Sequence, residues 1–153
     1  MKTVKGNLIK MAKAGDFNLI VHGCNCLNTM GKGIALEIKR EFPEAYKADQ
    51  KTKKGSRSKL GTVSFAAQHD VIIMNAYTQY AYWSKGQPKK VHADYDAIRS
   101  CFASIKKGWP GHKVGIPLIG AGLANGDWNK IKGIIEEEME GEDITLVEFD
   151  PRA

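Results

Sequence analysis

Apolar positions along the chain alternate between two periods. Short runs rich in β-formers fall at Thr3 to Ile9, Phe17 to Val21, Thr62 to Ala66, Val71 to Asn75, Val114 to Ile119 and Ile144 to Phe149. Between them the spacing turns helical. Ile34, Ile38 and Phe42 recur every fourth residue, with Glu37, Lys39 and Glu41 off that face. Ile98, Phe102 and Ile105 repeat the pattern, and Trp128, Ile131, Ile135 and Met139 give a third helix that begins near Asp127. Strands alternating with helices predict an α/β fold with a largely parallel or mixed sheet covered on both faces. The segments Lys51 to Lys59 and Tyr80 to Val91 read as loops.

In such folds ligands sit outside the carboxyl ends of the strands, so the residues that follow each buried strand carry the functional information. HGCNCLNTMGKGIA follows the second run, NAYTQYAYW the fourth and IGAGLANGDW the fifth. An ordinary turn needs one or two residues of the Gly, Asn and Asp kind, and these ends carry far more. Gly31 and Gly33 precede a helix, where close backbone approach and free N–H groups suit an anion. Gly120, Ala121, Gly122 and Leu123 form a second small-residue loop that can wrap a diphosphate with its amides. Either loop alone also reads as a sharp turn. Together they supply amides from two sides, as a pyrophosphate requires.

Individual side chains carry a bland reading beside the functional one. Asn25 and Asn28 suit ribose hydroxyls or their own turn. His22 is a candidate acid, base or nucleophile, or a histidine bonded to its strand neighbours. Asp127 is a carboxylate at the mouth of the second loop, or the cap of the helix at Trp128, and both can hold together. Gln79, Tyr77, His92 and Tyr95 are candidates for the rim. His22, Cys24 and Cys26 form an HxCxC pattern, but no fourth ligand with suitable spacing follows, so no metal is expected and the cysteines read as small buried hydrophobes.

Length and composition add bounds. The chain has 153 residues, which suits one domain spanning 1–153 with a core that needs neither disulfide nor metal. Three cysteines cannot all pair, which fits a reducing compartment. No apolar run spans a bilayer and no secretory pattern opens the chain, so a cytoplasmic monomer with no membrane partner is the expectation. The net charge of +6 gathers at Lys51, Lys53, Lys54, Arg57 and Lys59 and at Lys85, Lys89 and Lys90. These read as solvated loops, with attraction of polyanions as the functional alternative. No nucleic-acid-binding motif accompanies the charge.

VKGNLIK, VHGCNCLNTMGKGIALEIK and IPLIGAGLANGDW, in this order, resemble the macrodomain family over nearly the whole chain. The His-x-Cys first loop and the lack of a double asparagine resemble the subgroup of ADP-ribose 1''-phosphate phosphatases and terminal ADP-ribose glycohydrolases. The resemblance implies a three-layer α/β/α fold with a mixed, largely parallel sheet of about six strands. It implies ADP-ribose or ADP-ribose 1''-phosphate as ligand, or an ADP-ribosylated macromolecule, with no cofactor. By position, Asn7 and Leu8 match the adenine contacts, Asn25 the distal ribose, Gly31, Gly33 and Ile34 the first phosphate loop, and Gly120 to Leu123 the second. The family usually has Asp at the position of Asn7. Glycohydrolases that cleave a glutamyl ester carry a lysine and an aspartate where this chain has Gln79 and Ala124. The expected reaction is therefore hydrolysis of ADP-ribose 1''-phosphate, with His22 as nucleophile or base and Asp127 orienting it. The alternatives are removal of ADP-ribose from protein or nucleic acid, and binding without catalysis.

Overall fold

A computed structural model describes residues 1–153. Six strands form one sheet: β1 (Lys2–Gly6), β2 (Leu19–Cys24), β3 (Val63–Gln68), β4 (Val71–Tyr77), β5 (Lys113–Ile116) and β6 (Asp143–Phe149). Their spatial order is β1-β6-β5-β2-β4-β3, and every neighbouring pair is parallel except β3 with β4. That exception has a local cause. His69 and Asp70, both at positive φ (53° and 59°), make a two-residue turn whose twist suits adjacent antiparallel strands.

Helices α1 (Leu8–Lys13), α2 (Gly33–Glu41), α3 (Pro43–Gln50), α4 (Tyr95–Gly108) and α5 (Trp128–Glu138) cover the two faces. Period-two alternation in β2 divides the core. Leu19 and Val21 face Ile98, Phe102 and Ile105 of α4 and Ile131 and Ile135 of α5. Ile20 joins Leu8, Ile9, Ile38 and Ala45 of α1, α2 and α3 on the other side. The three-layer α/β/α architecture and mixed six-stranded sheet agree with the sequence expectation.

The elements differ from that expectation where local chemistry overrides periodicity. The first strand stops at Gly6, and Asn7 caps a helix through Leu8–Lys13: its side chain accepts from the Lys10 N–H at 3.0 Å. The apolar pattern around Phe42 breaks at Pro43, which starts α3 as its first residue. Pro117 ends β5, so the residues after Ile116 belong to a loop.

Gly115 shows how closely the α1 layer lies on the sheet. A Cβ there would stand 2.6 Å from the Phe17 ring and 2.8 Å from Leu8. Gly115→Ala is therefore expected to lower stability by about 1–3 kcal/mol through overpacking. Urea denaturation would measure this, and an undiminished midpoint would contradict the tight packing.

Candidate functional site

The loop after β2 leads into α2 on one face, and the loop after β5 leads towards α5 on the other. β2 and β5 are neighbours, so their loops part and leave a crevice between them. A cleft of about 570 Å³ occupies this position. Gly23, Cys24 and Asn25 form one end with Gln79. Gly31, Gly33 and Ile34 form one wall, and Gly120, Gly122, Leu123 and Ala124 the other.

Backbone donors dominate this cleft. Asn7, Asp94 and Asp127 cap α1, α4 and α5, but no side chain caps α2 or α3, and of these two only α2 opens onto the cleft. The N–H groups of Gly33, Ile34 and Ala35 therefore have no partner within the protein, and the helix dipole adds positive potential there. Across the cleft, the N–H groups from Gly120 to Ala124 also lack a protein partner. The second loop is held from behind: Gly126 N–H donates to the Gly120 carbonyl at 2.7 Å, and Asn125 N–H donates to that of Gly122 at 3.0 Å. Gly120 sits at φ 73°, with Ile131 3.1 Å from where a Cβ would be. Only glycine meets both demands.

A buried polar network braces the first loop. The Lys59 ammonium donates to the Cys26 carbonyl at 3.3 Å and to the Asn28 side-chain oxygen, and lies 4.6 Å from the Tyr77 ring centre. Tyr77 in turn donates to the Asp49 carboxylate at 2.7 Å. Asp49 and Lys59 are both buried. Asn28, at φ 58°, donates to the Thr52 carbonyl. Lys59 thus departs from the solvated basic run that its sequence neighbours suggested. Its charge is spent on shaping the loop.

The candidate side chains divide. Asn25, Gly31, Gly33, Ile34, Gly120, Gly122 and Leu123 line the cleft, and Ala121 lies between two lining residues but packs against the core. Asn25 spends its amide inside its own loop, donating to Thr29 and accepting from Leu27 N–H at 2.9 Å. Asn7 and Leu8 lie elsewhere: Asn7 caps α1, and Leu8 is buried in the core between α1 and the sheet. Asp127 is exposed and accepts from Asn129 N–H, so the structure shows its capping role and keeps it off the cleft wall. Tyr82 and Trp83, which the sequence left inside a loop, line the cleft opposite Lys32, whose ammonium is 6.0 Å from the Trp83 ring centre. Aromatic residues gathered in a stretch with no apolar period were the available signal.

His22 is the main correction. Its ring is fully buried on the α1–α3 side of the sheet, with Nε2 2.7 Å from the Asn75 side-chain oxygen. Asn75 is oriented by its own donations to the Ala45 carbonyl and Ser64 hydroxyl. Its oxygen must therefore accept, which puts the proton on Nε2 and leaves Nδ1 unprotonated; the Cys24 sulfur stands 3.5 Å from Nε2 and 3.7 Å from Nδ1. The side chain ties β2 to β4 and α3, and it does not line the cleft.

Residues 21–135 match the macro domain family. The chain is a macrodomain. An uncharacterized 17.5 kDa protein of Enterobacteria phage T4 is 30% identical to it over 99% of this chain and 97% of its own length. A DNA ADP-ribosyl glycohydrolase of Thermus aquaticus is 24% identical over 99% of this chain, which spans 41% of that enzyme. The Thermosipho africanus DarTG structure in complex with ADP-ribose superposes with a TM-score of 0.72 at 17% identity, covering 99% of this chain and 42% of that one. No helix of the macrodomain is long and apolar enough to cross a membrane.

Burial depresses the His22 pKa to about 4, opposed in part by the bond to Asn75. Between pH 6.5 and 4 the unfolded chain binds a proton that the folded macrodomain does not, so stability falls as the pH drops through this window. The full loss is about 3 kcal/mol. His22→Gln cannot titrate and is expected to flatten that acid limb in pH-dependent denaturation. A His22 resonance titrating near 6.5 in the native protein would refute the sealed environment.

Proposed function

We propose that this macrodomain binds ADP-ribose with the diphosphate between its two glycine loops and releases it from ADP-ribosylated nucleic acid. The observation that carries the binding is the pair of facing backbone donor sets that lack partners in the protein. Such groups favour an anion that accepts from both sides. Ile34, Pro117 and Leu118 supply apolar surface for the base, and the cleft volume suits a ligand of this size. The distal ribose then falls near Asn25 and Gln79.

Relatives named for DNA ADP-ribosyl glycohydrolase activity favour removal of ADP-ribose over release of a terminal phosphate. So does the position of His22: a buried imidazole bonded to Asn75 has no path to a phosphate in the cleft. The cleft wall holds no carboxylate and no histidine, and its thiol, Cys24, is held protonated, its pKa raised by burial and the Asp49 charge. The anion nearest the scissile bond is then the substrate's own diphosphate. In this reading the bond from C1'' of the distal ribose to the acceptor breaks, and water adds its oxygen to C1''. The proton released from that water goes to the departing acceptor, giving free ADP-ribose and unmodified nucleic acid. The diphosphate charge stabilises the cationic ribose, while Gln79 and Asn25 orient the reactants. The same lack of a side-chain base favours a non-catalytic reader as the second reading.

Two measurements decide. The first is calorimetry with ADP-ribose and AMP. AMP, lacking the diphosphate and distal ribose, is expected to bind much more weakly. Gly122→Glu is expected to lose at least about tenfold in ADP-ribose affinity, ~1.4 kcal/mol. No atom lies within 4 Å of a Cβ at Gly122, so the variant should keep its melting temperature. Equal affinities for ADP-ribose and AMP would sink the two-loop model. The second incubates the protein with an ADP-ribosylated single-stranded oligonucleotide, an ADP-ribosylated protein and ADP-ribose 1''-phosphate. Free ADP-ribose is expected from the oligonucleotide. Phosphate release alone would restore the phosphatase reading, and binding with no release would make the protein a reader.

A further inference from the structure

A second depression, about 470 Å³, adjoins the cleft. Its residues include Arg57, Tyr80, His92, Asp94, Tyr95 and Lys130. The wall between groove and cleft is thin. The Ala124 carbonyl accepts from the N–H groups of His92 at 2.8 Å and Ala93 at 3.3 Å, with Ala124 in the cleft and the other two in the groove. Likewise Gln79 lines the cleft and Tyr80, the next residue, lines the groove. The groove therefore borders the end of the cleft where the distal ribose is placed, the end from which any attached macromolecule departs.

Two cations stand in this groove without an ionic partner. The Arg57 guanidinium lies 3.9 Å from the Tyr80 ring centre, and the Lys130 ammonium 4.2 Å from that of Tyr95. Neither pairs with a carboxylate, although Asp94 and Asp96 share the groove; Asp94 instead accepts from Ala97 N–H as the cap of α4. Stacking on a ring holds a cation in place while leaving N–H groups free to donate, for Arg57 along the guanidinium edge. His92 Nε2 is buried there with no hydrogen-bond partner.

We propose that this groove seats the phosphodiester chain of the single-stranded nucleic acid that carries ADP-ribose, one phosphate on Arg57 and another on Lys130. This rests on the glycohydrolase reading of the cleft, and it adds where the rest of the substrate lies. A modified base must leave its stack for the ribose to enter the cleft, which selects an unpaired strand. Arg57 and Lys130 give the strand donors, and the thin wall sets the strand beside the bond to be cut.

The test is fluorescence anisotropy of an unmodified single-stranded oligonucleotide across a salt series, beside calorimetry with free ADP-ribose. Arg57→Ala/Lys130→Ala is expected to weaken oligonucleotide binding and to lower the slope of log affinity against log salt by about 1.4, at about 0.7 per phosphate lost. Its ADP-ribose affinity should match the wild type. Lys2→Ala/Lys107→Ala removes the same charge from exposed positions at the opposite end of the sheet and should keep the slope. Arg57→Lys/Lys130→Arg should keep it too. An unchanged slope in the groove pair, or an equal drop in the distant pair, overturns the proposal. So does loss of ADP-ribose affinity in the groove pair, because the two sites would then not be separate. Equal competition by a poly-glutamate peptide of matched charge overturns the choice of nucleic acid. Failure of the wild type to bind ADP-ribose would sink the cleft reading instead, while the salt slopes would still report on the groove.

Discussion

Backbone N–H groups that the fold cannot satisfy are the constraint on which the site depends. A parallel sheet whose neighbouring strands send their loops to opposite faces leaves a gap at the top, and the chain must cross it without filling it. Here the two crossing segments are glycine-rich, so their amides come close to whatever lies in the gap. One segment runs into an uncapped helix, while α1, α4 and α5 each carry a polar cap. Leaving a cap off costs stability, typically about 1 kcal/mol. An anion in the cleft recovers that cost only while it is bound, which couples loop order to occupancy.

The polar groups beneath the sheet top make this arrangement stiff. His22, Asn75, Ser64 and the Ala45 carbonyl form one chain of bonds, which the Ser64–Tyr77 hydroxyl contact at 2.8 Å joins to Asp49 and, through the Tyr77 ring, to Lys59 and Asn28. This network lies under or beside the first loop and is largely buried, with Asn28 and Ser64 half-buried at its edges. A buried charge such as Lys59 is costly unless its donors are used, so the loop carbonyl and the Asn28 oxygen are held where the ammonium needs them. The amides on the other side of that loop are then presented in one geometry. This is preorganisation built from side chains that never touch the ligand.

The fold was legible because period-two and period-3.6 patterns alternate clearly, and the cleft was legible because two glycine loops follow buried strands. What periodicity could not show was the use of each polar side chain. Asn7 looks the same in sequence whether it meets a base or caps α1, and the cap needs only a backbone N–H three residues on. His22 at the end of a strand looks catalytic until the facing strand supplies Asn75, and that pairing is set by register. Lys59 sits in a run of exposed basic residues, and only its approach to Cys26, 33 residues earlier, buries it. Tyr82 and Trp83 lie in an irregular stretch with no period to read. Each miss is a long-range contact or a competing local use of the same chemistry.

The loss of His22 as a base changes what the chemistry can be, more than it changes the binding. A phosphatase acting through a covalent or acid–base side chain needs that group within hydrogen-bond reach of the phosphate. Here the groups available to the reacting end are amides, an asparagine, a glutamine and a thiol kept protonated. Such a set orients and stabilises, and it accepts no proton at neutral pH. Glycosidic cleavage places fewer demands on it, because departure of the acceptor develops positive charge on a ribose already next to a diphosphate. In the proposed glycohydrolase reading, the anion that the loops hold for affinity would also stabilise the charge that builds up in the transition state. One set of partnerless amides can in this way position the substrate and, through the substrate's own phosphates, promote the reaction.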